Sequence, residues 1–431
     1  MKCPVRQRGV AAILALIVLA MFAILGVAHM WAANSSLVKT ENVNRVHRAR
    51  QQAESGLEYF RLLLTKAELP GGVTGEDLAT ALVEALPAPL NTEISADDSD
   101  GGFTATFSAD GSVVTLSVCG RHGEVHRTVT MDFIPGSSIF DYAVAGMGEI
   151  EMKNNSRVRG ANSVSEANVL SATYQPNKGF KLSNNAAIEG DVYAPNPDAD
   201  VNVSRDASIG GEYGRSAELE DHIHRGINDV EFPEVDSSVF EPFVGITVVD
   251  ADTPTEGVPF ANIRIAEGAN PDFEDSTIEG VVFIETPNEV TFSGNTTITG
   301  VIITQDAGDG AYNKNKIEFK DNATIRGVED LGDEYSGLKQ LPGSSVLAPG
   351  FEVKFKDNFG TIRGALAADK FTFDKDTSGT VHGPIICYSS QKIKLSGNSI
   401  LTFDRSASPE APPGFTTSPT LVAVPSTYRE H

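Results

Sequence analysis

The chain has 431 residues, with 58 acidic against 34 basic side chains and a formal charge of −24 at neutral pH. That length allows two or three domains with a sizeable core, and an apolar fraction of 40% excludes wholesale disorder. The acidity argues against a nucleic-acid binder, whose affinity comes from clustered Lys and Arg. Three cysteines, Cys3, Cys119 and Cys387, exclude a disulfide scaffold and a four-thiolate zinc site. A Cys119–Cys387 bridge stays open, because spacing fixes no connectivity.

From Val10 to Ala28 every residue is apolar (VAAILALIVLAMFAILGVA). Nineteen residues at helical rise span about 28 Å, close to a bilayer's hydrocarbon core. Lys2, Arg6 and Arg8 precede the span and the first acidic residue is Glu41. This bias predicts a cytoplasmic N-terminus and an extracytoplasmic bulk, with Trp31 at the interface. A cleaved signal peptide would have a shorter apolar region and a small-residue cleavage site. Here Leu37, Glu41, Val46, Ala49, Ala53, Leu57, Phe60 and Leu64 continue at spacings of mostly three and four, so one helix of roughly 85 Å is predicted to run from the membrane into an amphipathic stalk. Arg45, His47, Arg48 and Arg50 read as a solvated face pairing with Glu41, Glu54 and Glu58.

Residues 6–13 (RQRGVAAI), followed by that span, resemble the N-terminus of PilX-type minor pilins and K-type minor pseudopilins. Residues 52–58 (QAESGLE) resemble the signature that ends the same family's N-terminal helix. The two matches cover about the first 60 residues. The resemblance implies a leader over 1–9, prepilin-peptidase processing between Gly9 and Val10, and assembly with other pilin-like subunits and their pilus or secretion machinery. It also exposes a departure: the fifth residue after that cut is Leu14, where major pilins carry Glu.

Pro70, Gly71 and Gly72 end the stalk region, 10–69. Residues 70–138 read as a small α+β subdomain resembling a reduced pilin head. It has an amphipathic helix over Glu76–Leu86, an acidic loop at Asp97–Gly102, and an antiparallel meander of Phe103–Ser108, Ser112–Cys119 and Glu124–Phe133.

Beyond residue 139 the sequence repeats. The phrase Asn/Asp-x-x-Ile/Val-x-Gly occurs at Asn155 and Gly160, Asn185 and Gly190, Asp206 and Gly211, Asp275 and Gly280, Asn295 and Gly300, and Asn322 and Gly327. Degenerate copies follow at Asn358, Ser378 and Asn398. Most copies are preceded by an apolar-x-apolar triplet, such as Ile150/Met152, Val290/Phe292 or Ile393/Leu395. The triplet has strand periodicity, Asn and Asp supply the turn, and Gly supplies a corner. Adjacent copies recur about every twenty residues, the size of one solenoid coil. The fold expected over 139–405 is a right-handed parallel β-helix in a mainly β protein, with an Asn ladder between coils. The rival fold is a sandwich whose hairpins share a turn motif. The stretch 212–257 reads as an insertion, with shorter ones at Gln305–Lys316 and Glu329–Pro349, and 406–431 as a flexible Pro-rich tail.

The fold raises enzymes, because parallel β-helices often act on polysaccharides. The acidic candidates are Asp198/Asp200, Asp272/Glu274/Asp275, Asp306/Asp309 and Asp330/Asp333/Glu334. None has the spacing of a calcium loop, and all lie in turns where solvated Asp is common. His222 and His224 could start a metal site, but no third ligand follows at motif spacing. No cofactor, metal or catalytic set is therefore expected. The function this predicts is a single-pass, pilin-class (PilX-like) minor subunit of a type IV pilus or type II secretion-like filament. It would be anchored through Val10–Ala33 and would display the solenoid for assembly or adhesion to a surface or polysaccharide ligand. The alternative is a membrane-tethered, carbohydrate-active β-helix.

Overall fold

A computed structural model describes residues 8–64, 80–82, 84–86, 94–95, 101–111, 113–135, 138–308, 310–374, 376–406, 411–416 and 421–431. The chain divides into two compact units, Met1–Pro135 with Thr420–His431, and Gly136–Pro419. Residues 1–7 of the leader, the start of the expected helix over Glu76–Leu86, most of the acidic loop and Asp309 lie outside the described residues.

The first unit is built on helix α1 (Arg8–Leu64). Its described residues are exposed up to Asn44, whereas Ala49, Ala53, Leu57, Phe60 and Leu64 are buried at helical spacing. That stripe packs on a four-stranded antiparallel sheet. Gly101–Asp110, Val113–His122 and Val125–Pro135 form the expected meander. The residue choices at the helix–sheet contact follow from its closeness. A Cβ on Gly56 would run into Phe103 and Val118, and one on Gly120 would run into the backbone of Ala49 and Ala53. The small residues of the 52–58 signature thus let helix and sheet touch. The fourth strand is Leu421–Glu430, paired with Val125–Pro135.

This last strand corrects the expected flexible tail over 406–431. Prolines suggested disorder, but Leu421 is buried in the head core. Asp132 N–H donates to Thr427 Oγ1 at 2.9 Å, and Arg50 on α1 reaches Glu430 at 3.3 Å. Phe415–Thr416 is also a strand, paired with Glu234–Val235 within the second unit. The solenoid is therefore inserted between the third and fourth strands of the head.

The second unit is a three-faced stack of parallel strands, which excludes the sandwich. A complete coil places one strand on each face, as in Val144–Gly146, Ile150–Lys153 and Arg157–Gly160. Thr277–Ile284 and Thr297–Thr304 pair residue for residue, so Ile278, Ile298 and Ile325 form one buried column. On the second face Phe273, Phe292, Phe319, Phe355 and Phe373 stack with centroids 5.3–5.4 Å apart and planes 10–18° from parallel, about the strand spacing. Leu395, Met152, Leu182 and Val203 continue that column.

The order of coils is not the order of the sequence. The chain enters at Val144 in the middle of the stack and coils outward through Val169–Ser171 and Val192–Ala194 to Ile223–Arg225. Residues 226–246 then cross to the opposite end. There Thr247–Val249 starts again against Ile263–Ile265, and successive coils return to Ile385–Cys387, which pairs with Val144–Gly146. The expected insertion over 212–257 is thus corrected: it holds two rungs of the first face and the strap that joins them. Likewise Lys316 and residues 344–349, assigned to the shorter insertions, are strand. The rungs at Ile223–Arg225, Thr247–Val249 and 344–349 break the periodicity because first-face strands lack the Asn-turn phrase, whereas Lys316 is the first residue of a second-face strand.

The first face differs from the other two. Its outward side chains, among them Val281, Phe283, Val301, Ile303 and Leu347, are buried beneath Phe240 of the strap and Val328, Leu331 and Leu338 of the longer loop. Further along, Ala145, Leu170 and Ile386 lie beneath Val230 and Phe140. Strands apolar on both sides, as in residues 281–284 and 301–303, follow from this double burial.

Candidate assembly helix and solenoid surfaces

Gly9 and Val10 lie in the first turn of α1. Among the described residues one helix is long and apolar enough to cross a membrane, with a mean hydropathy of 2.6 and none of that window buried. Leu14 is one of its exposed apolar side chains, with Leu16, Leu19, Phe22 and Trp31. Exposed apolar area on this scale needs a cover of lipid or protein.

The repeat residues form two hydrogen-bonded ladders. Asn185 donates to Asn155 at 3.0 Å, Asn155 to Asn398 at 2.8 Å, and Asn398 to Asp376 at 2.7 Å. Asn322 donates to Asn295 at 3.5 Å and Asn295 to Asp275 at 3.0 Å. The corner beside the ladder is left-handed at Asn154, Asn184, Asp275, Asp321 and Asp376, the conformation Asn and Asp tolerate best. Asp206 stands beyond the ladder in an exposed turn. Gly160, Gly190, Gly280 and Gly300 each pass so close to neighbouring backbone or side chain that a Cβ would collide; at Gly327 the obstacle is the Glu329 carboxylate, and Gly211 faces open space.

Residues outside the repeat phrase build the seam where the last coil meets the first. Lys392 Nζ lies 2.8 Å from Glu149 and 3.3 Å from Glu151. Lys178 adds a contact to Glu149 at 3.2 Å and Lys153 one to Glu151 at 2.8 Å. Burial pushes both carboxyls up, but hydrogen bonds from these lysines outweigh it and hold both below the ordinary carboxylate value. Arg159 Nε donates to Thr402 at 2.9 Å, Asn162 to Asp404 at 3.0 Å, and the Arg405 N–H to Glu166 at 3.2 Å. A sequence signal existed. Glu149 and Glu151 flank Ile150 as Lys392 and Lys394 flank Ile393, so these two copies carry complementary charge.

The acidic candidates do not converge. Asp198 and Asp200 are exposed. Asp272 accepts from Ser293 and lies 3.6 Å from Lys320, and Asp275 caps the Asn295 N–H. Asp306 caps Gly308, Asp330 meets Arg363 at 3.4 Å, and Asp333 meets Lys339 at 3.6 Å; Glu274 and Glu334 are exposed. His222 and His224 do come together, each on one oxygen of Asp191, at 2.7 and 2.9 Å. Burial raises the Asp191 pKa, but the bonds from His224 and His222 outweigh it and leave the carboxyl below its ordinary value. Among the described residues no group of three or more His, Cys, Asp and Glu has an arrangement that could hold a metal. Cys119 and Cys387 are free thiols; burial pushes Cys387 up to about 12, so it is a core residue and a poor nucleophile.

No family model and no curated protein matches the chain. A solved structure, the competence-associated pilin ComZ from Thermus thermophilus, aligns over 90% of this chain and 97% of its own, at 12% identity and a TM-score of 0.26.

Proposed function

We propose that this chain is a pilin-class minor subunit of a type IV pilus or type II secretion-like filament, anchored by α1 and holding the solenoid outside the membrane for assembly or adhesion. The observation that carries the reading is α1 itself. One continuous helix is apolar and exposed over residues 12–28, then packs residues 49–64 on a four-stranded sheet. The resemblance of residues 6–13 and 52–58 to PilX-like sequences supports it. On this reading Gly9–Val10 is the processing site, Val10–Ala33 spans the membrane with the N-terminus cytoplasmic, and the solenoid does no chemistry of its own.

Leu14 gives the proposal a position in the filament. A carboxylate in hydrocarbon is expensive unless paired, so a Glu there would order a subunit against a neighbour's terminal amine. Leu14 offers no carboxylate, whereas the amine of Val10 can still receive one from below. The subunit then starts or caps a filament and is present in few copies. Gold labelling of the solenoid should mark filament ends; labelling along the shaft would exclude that position. Turnover of a polysaccharide, lost on substituting one acidic cluster, would replace this reading with the enzyme.

A further inference from the structure

The two ends of the solenoid are finished differently. At one end the turn Glu218–His222 folds Leu219 into the core, Glu212–Tyr213 doubles back antiparallel on Ser208–Ile209, and Asp191 clamps both histidines. That end is closed. At the other end the outermost strand is Thr247–Val249, and its pairing among the described residues is with Ile263–Ile265.

The Val249 carbonyl accepts from Ala266 N–H at 2.9 Å, so Val249 faces the inner strand. Because backbone groups alternate along a strand, the N–H and C=O of Val248 point away from the stack. Beside this open edge Ile246 is 99% exposed and Val248 53% exposed. Natural sheets blunt such edges with lysine, proline or a covering segment, and this edge has none of these within 246–249.

The chain around this edge is acidic, with Asp272 met by Lys320 of a later coil at 3.6 Å. Residues 245–279 contain Asp250, Asp252, Glu256, Glu267, Asp272, Glu274, Asp275 and Glu279 against one basic residue, Arg264. Arg264 is occupied by Glu285 at 3.1 Å and by the Phe283 ring at 4.5 Å. The last acidic residue of the strap before the edge is Glu241, and residues 226–244 contain no Lys or Arg.

We infer that the Thr247–Val249 edge is a docking site for an extended, basic strand of a partner protein. The partner adds to the stack by main-chain hydrogen bonds at Val248 and packs apolar side chains on Ile246 and Val248. Its Lys or Arg residues meet the surrounding carboxylates, and this acidity disfavours a second copy of the same edge, which would bring like charges together. The inference stands independently of the filament reading, since it uses only the solenoid's end.

The test uses the full chain in detergent and a labelled synthetic peptide that alternates Lys and Val, read by fluorescence anisotropy. Saturable binding is expected, weakened about tenfold or more by Val248→Pro, which removes the outward N–H, and by Ile246→Ser. Val248→Lys, which leaves the bonds to Ile263–Ile265 in place, should weaken it as well and covers the case in which proline disturbs the rung. A Glu–Val peptide, and a Lys–Val peptide with N-methylated amides, should not bind. Equal binding of the N-methylated peptide, or unchanged binding to all three variants, would overturn the proposal in favour of bulk charge attraction. Self-association of the chain that Val248→Lys abolishes would overturn it in favour of a second copy.

Discussion

In the head, the closing strand Leu421–Glu430 finds its partner across nearly 300 residues of chain: Asp132 and Thr427 are 295 positions apart. In the solenoid the last coil meets the first across a comparable gap, Asn155 and Asn398 being 243 apart. The head makes this closure with an antiparallel ladder, a buried Leu421 and a helix behind the sheet. The solenoid makes it with parallel ladders bridged by Lys392, Asn398 and Arg159. The difference teaches two ways in which a unit can close on itself across a long stretch of chain. Because the solenoid's first and last coils are neighbours, the stack brings together stretches of chain that are far apart in sequence. The cost is a permuted stack whose cohesion at one plane rests on non-local contacts, which form late and slowly.

The largest expected effect isolates the head. Deleting residues 421–431 should abolish the head's thermal transition and leave the solenoid's within a few degrees, about what independent units allow; calorimetry of the detergent-solubilised protein reads both. A single shared transition would mean that the two closures are not independent. Next, Ile298→Asp places an unpartnered carboxylate in the Ile278–Ile298–Ile325 column and should cost the solenoid about 3–5 kcal/mol. Thr297→Asp, facing outward one residue earlier, should stay within about 0.5 kcal/mol; equal effects in denaturant titrations would reject the register.

The seam gives smaller, pH-dependent effects. Lys392→Met strips Glu149 and Glu151 of a shared partner and should cost about 1–3 kcal/mol, discounted for the partial exposure of Lys392. Both carboxyls are held below their unfolded value of about 4.3. Their contribution is therefore complete above that pH and disappears as pH falls through the lowered folded values. The deficit of Lys392→Met should accordingly shrink below about pH 4; a deficit that persisted in strong acid would assign it to packing. Asn398→Ala should cost about 1 kcal/mol for the broken ladder, read as a shift of the same unfolding curve.

Much of this was legible in the sequence. The apolar run from Val10, the stripe Ala49–Leu64, the meander and the Phe-bearing coils follow from local periodicity, and the structure has them as expected. The order of coils was not legible, because periodicity reports what each coil is and not which coil it touches. The tail was misread for a related reason: its prolines are local, whereas the pairing of Leu421–Glu430 is not. Of the candidate site residues, the Asn ladder was legible from side-chain chemistry. The seam's ion pairs were visible only to a comparison of charge between copies 243 residues apart. The open edge at Val248 could be recognised only once the stack order was known.

The filament assignment is tested most directly at the N-terminus. Mass spectrometry of the protein purified from native membranes should find a mature chain beginning at Val10, with an N-methylated amine. Recovery of an intact Met1, or of a chain cut near Ala33, would contradict the pilin-class reading and leave α1 as a simple anchor or a signal sequence.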